Sequence, residues 1–235
     1  QILTSYFEIV RGNYDRAIEH ALLAVELVEQ TATPFPAWLC HACLAYLYIE
    51  KGQFNLVQPR LDAVNNIVEP MKSASGIFMA DMIRSYLAFQ QKDIPRTKKW
   101  LTRCFRLACE KDMKSNGLWP PRMVSPLCGL ALEYGIEPDY ARNIIRSYNY
   151  APQESLHVSE HWPWPVKIYS LGRFSILLND QPLDTDTRPF EMLKVLLAYG
   201  GRDVHSEKIM DALWPDADGD QAQINLKATL HRLRK

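Results

Sequence analysis

The side chains best equipped for chemistry stand at the end of the chain. Asn225, Lys227, Thr229, His231, Arg232, Arg234 and Lys235 fall within twelve residues, 224–235, that contain no acid. An amide or a guanidinium can make paired hydrogen bonds to the edge of a base, whereas hydroxyl, ammonium and further guanidinium groups suit phosphate oxygens. Leu226, Leu230 and Leu233 recur in the same stretch at helical spacing. They predict a helix over about 219–235 whose leucines face a core. Asn225, Thr229 and Arg232, at i, i+4 and i+7, are then expected on the opposite side, flanked by Lys227, His231, Arg234 and Lys235, on a helix whose width fits the major groove of duplex DNA. A purely structural reading competes, because cations near a helix C-terminus complement its macrodipole anyway.

Other constellations do not assemble a reaction centre. The sequence contains no GxxxxGK[ST] phosphate loop, no GxSxG elbow and no HExxH zinc helix. Its six histidines are scattered. Asp216, Asp218 and Asp220 alternate as in a cation loop, but the glycine and distal glutamate of an EF-hand are out of register. Helix capping accounts for them, with Asp218 placed three residues before Gln221. Cys40, His41 and Cys43 sit together in an apolar run with no second ligand pair at metal spacing, which predicts core packing. Five cysteines in a long chain argue for reduced, buried thiols in the cytosol rather than a disulfide framework. No enzymatic activity, metal or cofactor is expected. No apolar run is long enough for a membrane span, and the first residues lack the basic patch of a secretory signal.

Two regions of different periodicity must position these residues. Lys and Arg number 27, as do Asp and Glu, so the distribution of charge is informative where the net charge is not. Residues 1–150 read as helical throughout. Gly12, Tyr14, Ala17, Ala21 and Ala24 have the turn, the aromatic and the small residues of a helical hairpin. Gly52 and Phe54 with Val57, Leu61 and Val64 repeat the pattern, and Lys92 with Thr97, Leu101 and Cys104 repeats it again without the glycine. The turns fall at 12, 52 and 92, and Gly135 opens a fourth slightly out of step. These residues resemble tetratricopeptide-type repeats, in the longer form carried by large ATP-dependent bacterial regulators. The resemblance implies stacked α-hairpins with an exposed face for a protein partner or a second copy.

Residues 151–165, rich in proline and ending Trp162-Pro163-Trp164-Pro165, read as a linker with both indoles at a domain junction. Residues 166–235 begin with strand signals and a turn at Asn179-Asp180. Three helices follow. The first carries the stripe Phe190, Leu193, Leu196 and Leu197 and stops at Gly200-Gly201. The second is capped by Ser206 and ends at Trp214-Pro215, and the basic helix comes last.

The order of elements, with Lys167-Ile168-Tyr169-Ser170-Leu171-Gly172-Arg173-Phe174, Gln181-Pro182-Leu183, Leu213-Trp214-Pro215-Asp216 and Leu230-His231-Arg232-Leu233-Arg234-Lys235, resembles the winged-helix domain of response regulators. More closely, it is similar to that of activators of the antibiotic-regulatory-protein type and their relatives with a bacterial transcriptional activation domain. Ala131-Leu132-Glu133-Tyr134-Gly135-Ile136-Glu137 resembles what precedes the domain in large repeat-containing regulators. The resemblance implies a mainly α protein: tetratricopeptide-like hairpins, then a small α+β winged helix. It implies a transcriptional activator that binds double-stranded promoter DNA through its third helix, with Asn225, Thr229 and Arg232 facing the groove and Lys227, His231, Arg234 and Lys235 on the backbone, and that recruits RNA polymerase. Leu171, Phe174, Leu193, Leu197, Leu213, Trp214, Leu230 and Leu233 are the core it implies. The chain departs from the family in stopping at Lys235, before the β-hairpin wing, and in a short link between Leu183 and Phe190, and is expected to be part of a longer regulator. DNA binding without the wing is expected to be electrostatic and salt-sensitive. The competing expectation is a helical interaction scaffold without sequence-specific DNA binding.

Overall fold

The computed structural model describes residues 1–31, 34–113, 119–153 and 160–234. Among these the protein is mainly helical, with eleven α-helices and a small antiparallel sheet. It divides into two compact units, Gln1–Trp162 and Pro163–Lys235.

The first unit is a succession of helical hairpins. Helices α1 (Ile2–Val10) and α2 (Tyr14–Thr31), α3 (Pro34–Glu50) and α4 (Val57–Val68), α5 (Ala74–Gln90) and α6 (Ile94–Glu110), and α7 (Pro121–Glu133) and α8 (Pro138–Tyr148) pack pairwise. One turn geometry recurs at the forty-residue step. Gly12, Gly52 and Lys92 all take left-handed backbone, with φ of 78°, 70° and 59°. The next residue's N–H then reaches back five residues to a carbonyl: Asn13 to Glu8 at 2.9 Å, Gln53 to Tyr48 at 2.8 Å and Asp93 to Ala88 at 2.9 Å. That bond satisfies a carbonyl the ending helix would leave orphaned. Lys92 adopts the conformation despite its Cβ, and Gly135 adopts it at the fourth turn with φ of 65°.

Behind each turn the equivalent side chains are fully enclosed. Ala17, Val57 and Thr97 are buried, as are Ala21, Leu61 and Leu101, and then Ala24, Val64 and Cys104. A hydrogen bond recurs as well. Ser5 Oγ donates to the Ala17 carbonyl at 2.8 Å, and Ser85 Oγ to that of Thr97 at 3.1 Å. The buried residues of all eight helices form one continuous apolar cluster.

This unit extends further than the sequence suggests. Pro126 lies inside α7 and cannot donate to the Arg122 carbonyl. Gln153 Nε2 donates to that carbonyl instead at 3.0 Å, while Ser125 Oγ donates to the Ala151 carbonyl at 2.6 Å. Trp162 is buried in the same cluster, with its ring beside Gly129. Most of the described part of the expected linker therefore belongs to the first unit, and 154–159 lie outside the described residues. Trp162 is enclosed within the first unit, and Trp164, in the second, is 40% exposed.

In the second unit β1 (Val166–Tyr169), β2 (Ser175–Leu178) and β3 (Gln181–Pro182) form an antiparallel sheet in that order. Val166 pairs with Leu178 and Tyr169 with Ser175. Asn179 and Asp180, both at positive φ (50° and 65°), make the tight turn between β2 and β3 that matches strand twist. Helices α9 (Arg188–Ala198), α10 (Ser206–Leu213) and α11 (Gly219–Leu233) pack on one another.

The core of this unit is small and differs from the expected set. Met192, Ile209 and Leu213 are its buried centre, with Val195, Leu196, Val204, Trp214, Leu226, Leu230 and Leu233 packed around them. The buried stripe of α9 is rotated from the expected one, running through Met192, Val195 and Leu196. Leu197 is left 39% exposed. Leu171, in the bend between β1 and β2, is 94% exposed and no part of the core. Ser206 is the first residue of α10 rather than its cap; His205 holds the cap position without a side-chain bond.

Candidate nucleic-acid interface

Helix α11 begins where the sequence places it. The Asp218 carboxylate accepts from the Gln221 N–H at 2.8 Å, capping the first turn, and Asp220 adds a charge that the positive end of the macrodipole favours. Leu226, Leu230 and Leu233 turn inward against α9 and α10 as expected. The opposite face is not the expected one.

Thr229, expected in the groove-reading set, is buried at 7% exposure, on the same side as Ala222 and the leucines. The reason is angular. Successive residues turn by about 100° around a helix, so a position three after Leu226 falls about 60° from it and about 40° from Leu233, on the flank of the leucine stripe where Ala222 is also buried. Asn225 lies at the edge of that flank, half-buried, and its Oδ1 accepts from Gln221 Nε2 at 3.0 Å. Arg232 is exposed on the same edge. The outward face consists of Gln223, Ile224, Lys227, Ala228, His231 and Arg234, all exposed, with Ile224 at 60%. Lys235 lies outside the described residues. The sequence reading missed Gln223, Ile224 and Ala228, although projecting the helix from its leucines finds them.

The electrostatics of α11 are one-sided. Residues 163–235 carry ten cations and ten acids, yet α11 has no acid after Asp220. Elsewhere in the unit several cations are engaged: Lys167 with Asp180 at 2.7 Å, Arg188 with Glu191 at 2.5 Å and Lys194 over the Phe174 ring at 5.0 Å. Among the described residues Lys227, Arg232 and Arg234 make no ion pair. Three cations and an imidazole thus face solvent from a helix held by its apolar side.

The first unit offers a groove of a different kind. Ile2 and Tyr6 of α1, Leu39 and Tyr46 of α3, Met79 and Ile83 of α5 and Met123 of α7 line a shallow apolar recess. Near Tyr46, Glu50 is almost fully buried, accepts from the Tyr86 hydroxyl at 2.7 Å and lies 3.6 Å from Arg122 Nε.

Cys40 and His41 are buried in α3, as core packing requires. Burial, reinforced by the nearby Arg60, holds the His41 pKa below the usual histidine value. Cys43 lies 3.6 Å from Ser5 Oγ, and burial pushes its thiol up to about 11. Cys104 and Cys128 are buried, but Cys109, also expected inside, is exposed and faces Glu137 at 3.6 Å. Among the described residues no group of three His, Cys, Asp or Glu could hold a metal ion, and no helix is long and apolar enough to cross a membrane. No family model matches the chain, and no curated protein or solved structure shows significant similarity to it.

Proposed function

We propose that the chain is a DNA-binding transcriptional regulator, with tetratricopeptide-like hairpins followed by a winged-helix domain whose third helix, α11, enters the major groove of promoter DNA. One observation carries the reading: α11 is pinned by its leucines and turns Lys227, His231, Arg232 and Arg234 outward without ion-pair partners among the described residues. A helix of this width fits the major groove, where a guanidinium can address guanine and cations can address phosphates. Thr229 leaves the contact set. Asn225 and Arg232 flank the outer face on one side and Gln223 and Arg234 on the other, with Lys227 and His231 nearer its centre. Lys235 stays in the set on the strength of its sequence position. The hairpins, through their apolar groove, take a protein partner, a second copy or an effector-coupled domain. That event positions α11 on the promoter and assists recruitment of RNA polymerase. No catalytic step is part of the proposal, and the regulator acts in the cytoplasm.

A second reading draws support from the equal numbers of acids and cations in the second unit and from the exposed Ile224. It makes the chain a protein-interaction scaffold without DNA binding. Fluorescence anisotropy with labelled duplex over a range of KCl concentrations separates the two. The regulator binds duplex with an affinity that falls with salt, and each of Lys227→Ala and Arg234→Ala lowers the slope of log K against log salt by about 1. Arg232→Ala weakens binding with part of the loss specific to site sequence. Affinity indifferent to all three substitutions favours the scaffold.

A further inference from the structure

A second cationic surface stands in the first unit, on α6. Arg96, Lys99, Arg103 and Arg106 are all exposed at i, i+3, i+7 and i+10. They form one row about 15 Å long at the helical rise. Lys98, beside it, lies over the Tyr134 ring at 4.2 Å, and the one acid in the helix is its last residue, Glu110.

The fold does not require this row. Cations three and four residues apart on a helix repel one another. Arg96, Lys98 and Lys99 lie near the positive end of the macrodipole, where the N-cap Asp93, accepting from the Arg96 N–H at 3.0 Å, supplies a single acid. Neighbouring elements answer the charge only in part. Asp81 on α5, fully buried, pairs with Arg84 at 2.8 Å and Arg103 at 3.0 Å. Glu137 stands 4.0 Å from Arg106, and Glu69 lines the cleft beside Arg84, Arg96 and Arg103. Arg96 and Lys99 make no ion pair among the described residues.

The chemistry around Trp100 narrows the partner. Arg84, Lys99 and Arg103 approach its ring at 5.0, 5.4 and 5.5 Å. An indole so surrounded stiffens the row and leaves no platform for an unstacked base, which disfavours single strands. An acidic protein segment would look for the exposed apolar anchors on which protein interfaces depend, and α6 contributes no exposed large hydrophobic side chain. A straight row of fixed cations, three of them guanidinium groups, suits the repeating charge of a duplex backbone.

We propose that the α6 row is a second, sequence-independent contact for the phosphate backbone of duplex DNA. The inference rests on the DNA-binding reading and extends it to the first unit. It is tested on the 235-residue chain, with mixed-sequence duplex and anisotropy across a KCl series. One variant neutralises the row (Arg96→Gln, Lys99→Gln, Arg106→Gln), keeping Arg103 because it holds Asp81. Another neutralises α11 (Lys227→Gln, Arg232→Gln, Arg234→Gln). With three phosphate contacts removed, the α6 variant lowers the salt slope by about 2.7, equally on duplexes of different sequence. The α11 variant keeps a residual salt-dependent binding that the α6 substitutions abolish, and Arg96→Lys with Arg106→Lys restores the slope. If circular dichroism shows the triple variant unfolded, Arg96→Gln alone decides, with an expected slope change of about 0.9. An unchanged slope in the α6 variants beside a reduced one in the α11 variant overturns this inference and leaves the α11 reading standing. A native chain that ignores duplex overturns both. Competition by polyglutamate as strong as by duplex overturns the choice of nucleic acid as partner.

Discussion

The two units bury their apolar surface in different ways. In the first, every helix adds to one cluster, and positions forty residues apart meet the same surroundings: Val57, Leu61 and Val64 are enclosed as Thr97, Leu101 and Cys104 are. In the second, three helices share a centre of Met192, Ile209 and Leu213. A small domain buries a smaller fraction of its surface and has less stability to lose. Redundant stacking makes the first unit tolerant of local error. The second depends on a few contacts, and those contacts also orient the helix proposed to meet DNA.

Truncation of the core tests this contrast most severely. Leu213→Ala and Leu61→Ala each remove a buried leucine at a cost of about 2–5 kcal/mol. Limited proteolysis and chemical denaturation are expected to show the second unit unfolded by Leu213→Ala and the first still folded with Leu61→Ala. The reverse outcome would break the comparison.

A gentler probe addresses the turns. Gly52→Ala places a Cβ in left-handed backbone and is expected to destabilise the first unit by about 1–2 kcal/mol. Lys92→Gly, relieving the same strain at the equivalent turn, is expected to shift the denaturation midpoint the other way. Equal and negligible effects would show that the two turns do not share a conformation in solution.

The smallest effect concerns pH. His41 has its folded pKa depressed by burial, so the folded state favours the neutral ring. Stability is then complete above the unfolded value of about 6.5 and declines as pH falls through it toward the folded value. The first unit is expected to melt earlier at pH 5 than at pH 7, and His41→Gln to flatten that dependence. An unchanged profile in the variant would assign the acid sensitivity to other groups.

The hairpins were legible because their signals are local. Gly12 and Gly52 announce left-handed turns, and the small or apolar residues that follow lie on a single helix face. Lys92 carried no such signal; only its step from Gly52 exposed it. In the second unit the elements were legible but their facing was less so. Adjacent apolar residues such as Val195, Leu196 and Leu197 leave a helix free to rotate by one position, and a small core settles which of them turns inward. Thr229 was misplaced for the same angular reason. Trp162 was hidden by its prolines, since composition read as a linker says nothing of an indole buried beside Gly129. The α6 row was spelled out in the sequence but scattered through it, and aligns only when the helix is projected.

The forty-residue spacing of Gly12, Gly52 and Lys92 quantises the lengths this polypeptide can adopt. Excising a full period, 52–91, would bring Lys92 to the place of Gly52 and leave every later side chain at its former azimuth. Excising one residue fewer would turn the next helix by about 100°, swinging a charged residue into the slot that Thr97 fills. Growth or shrinkage of the array is thus confined to whole hairpins.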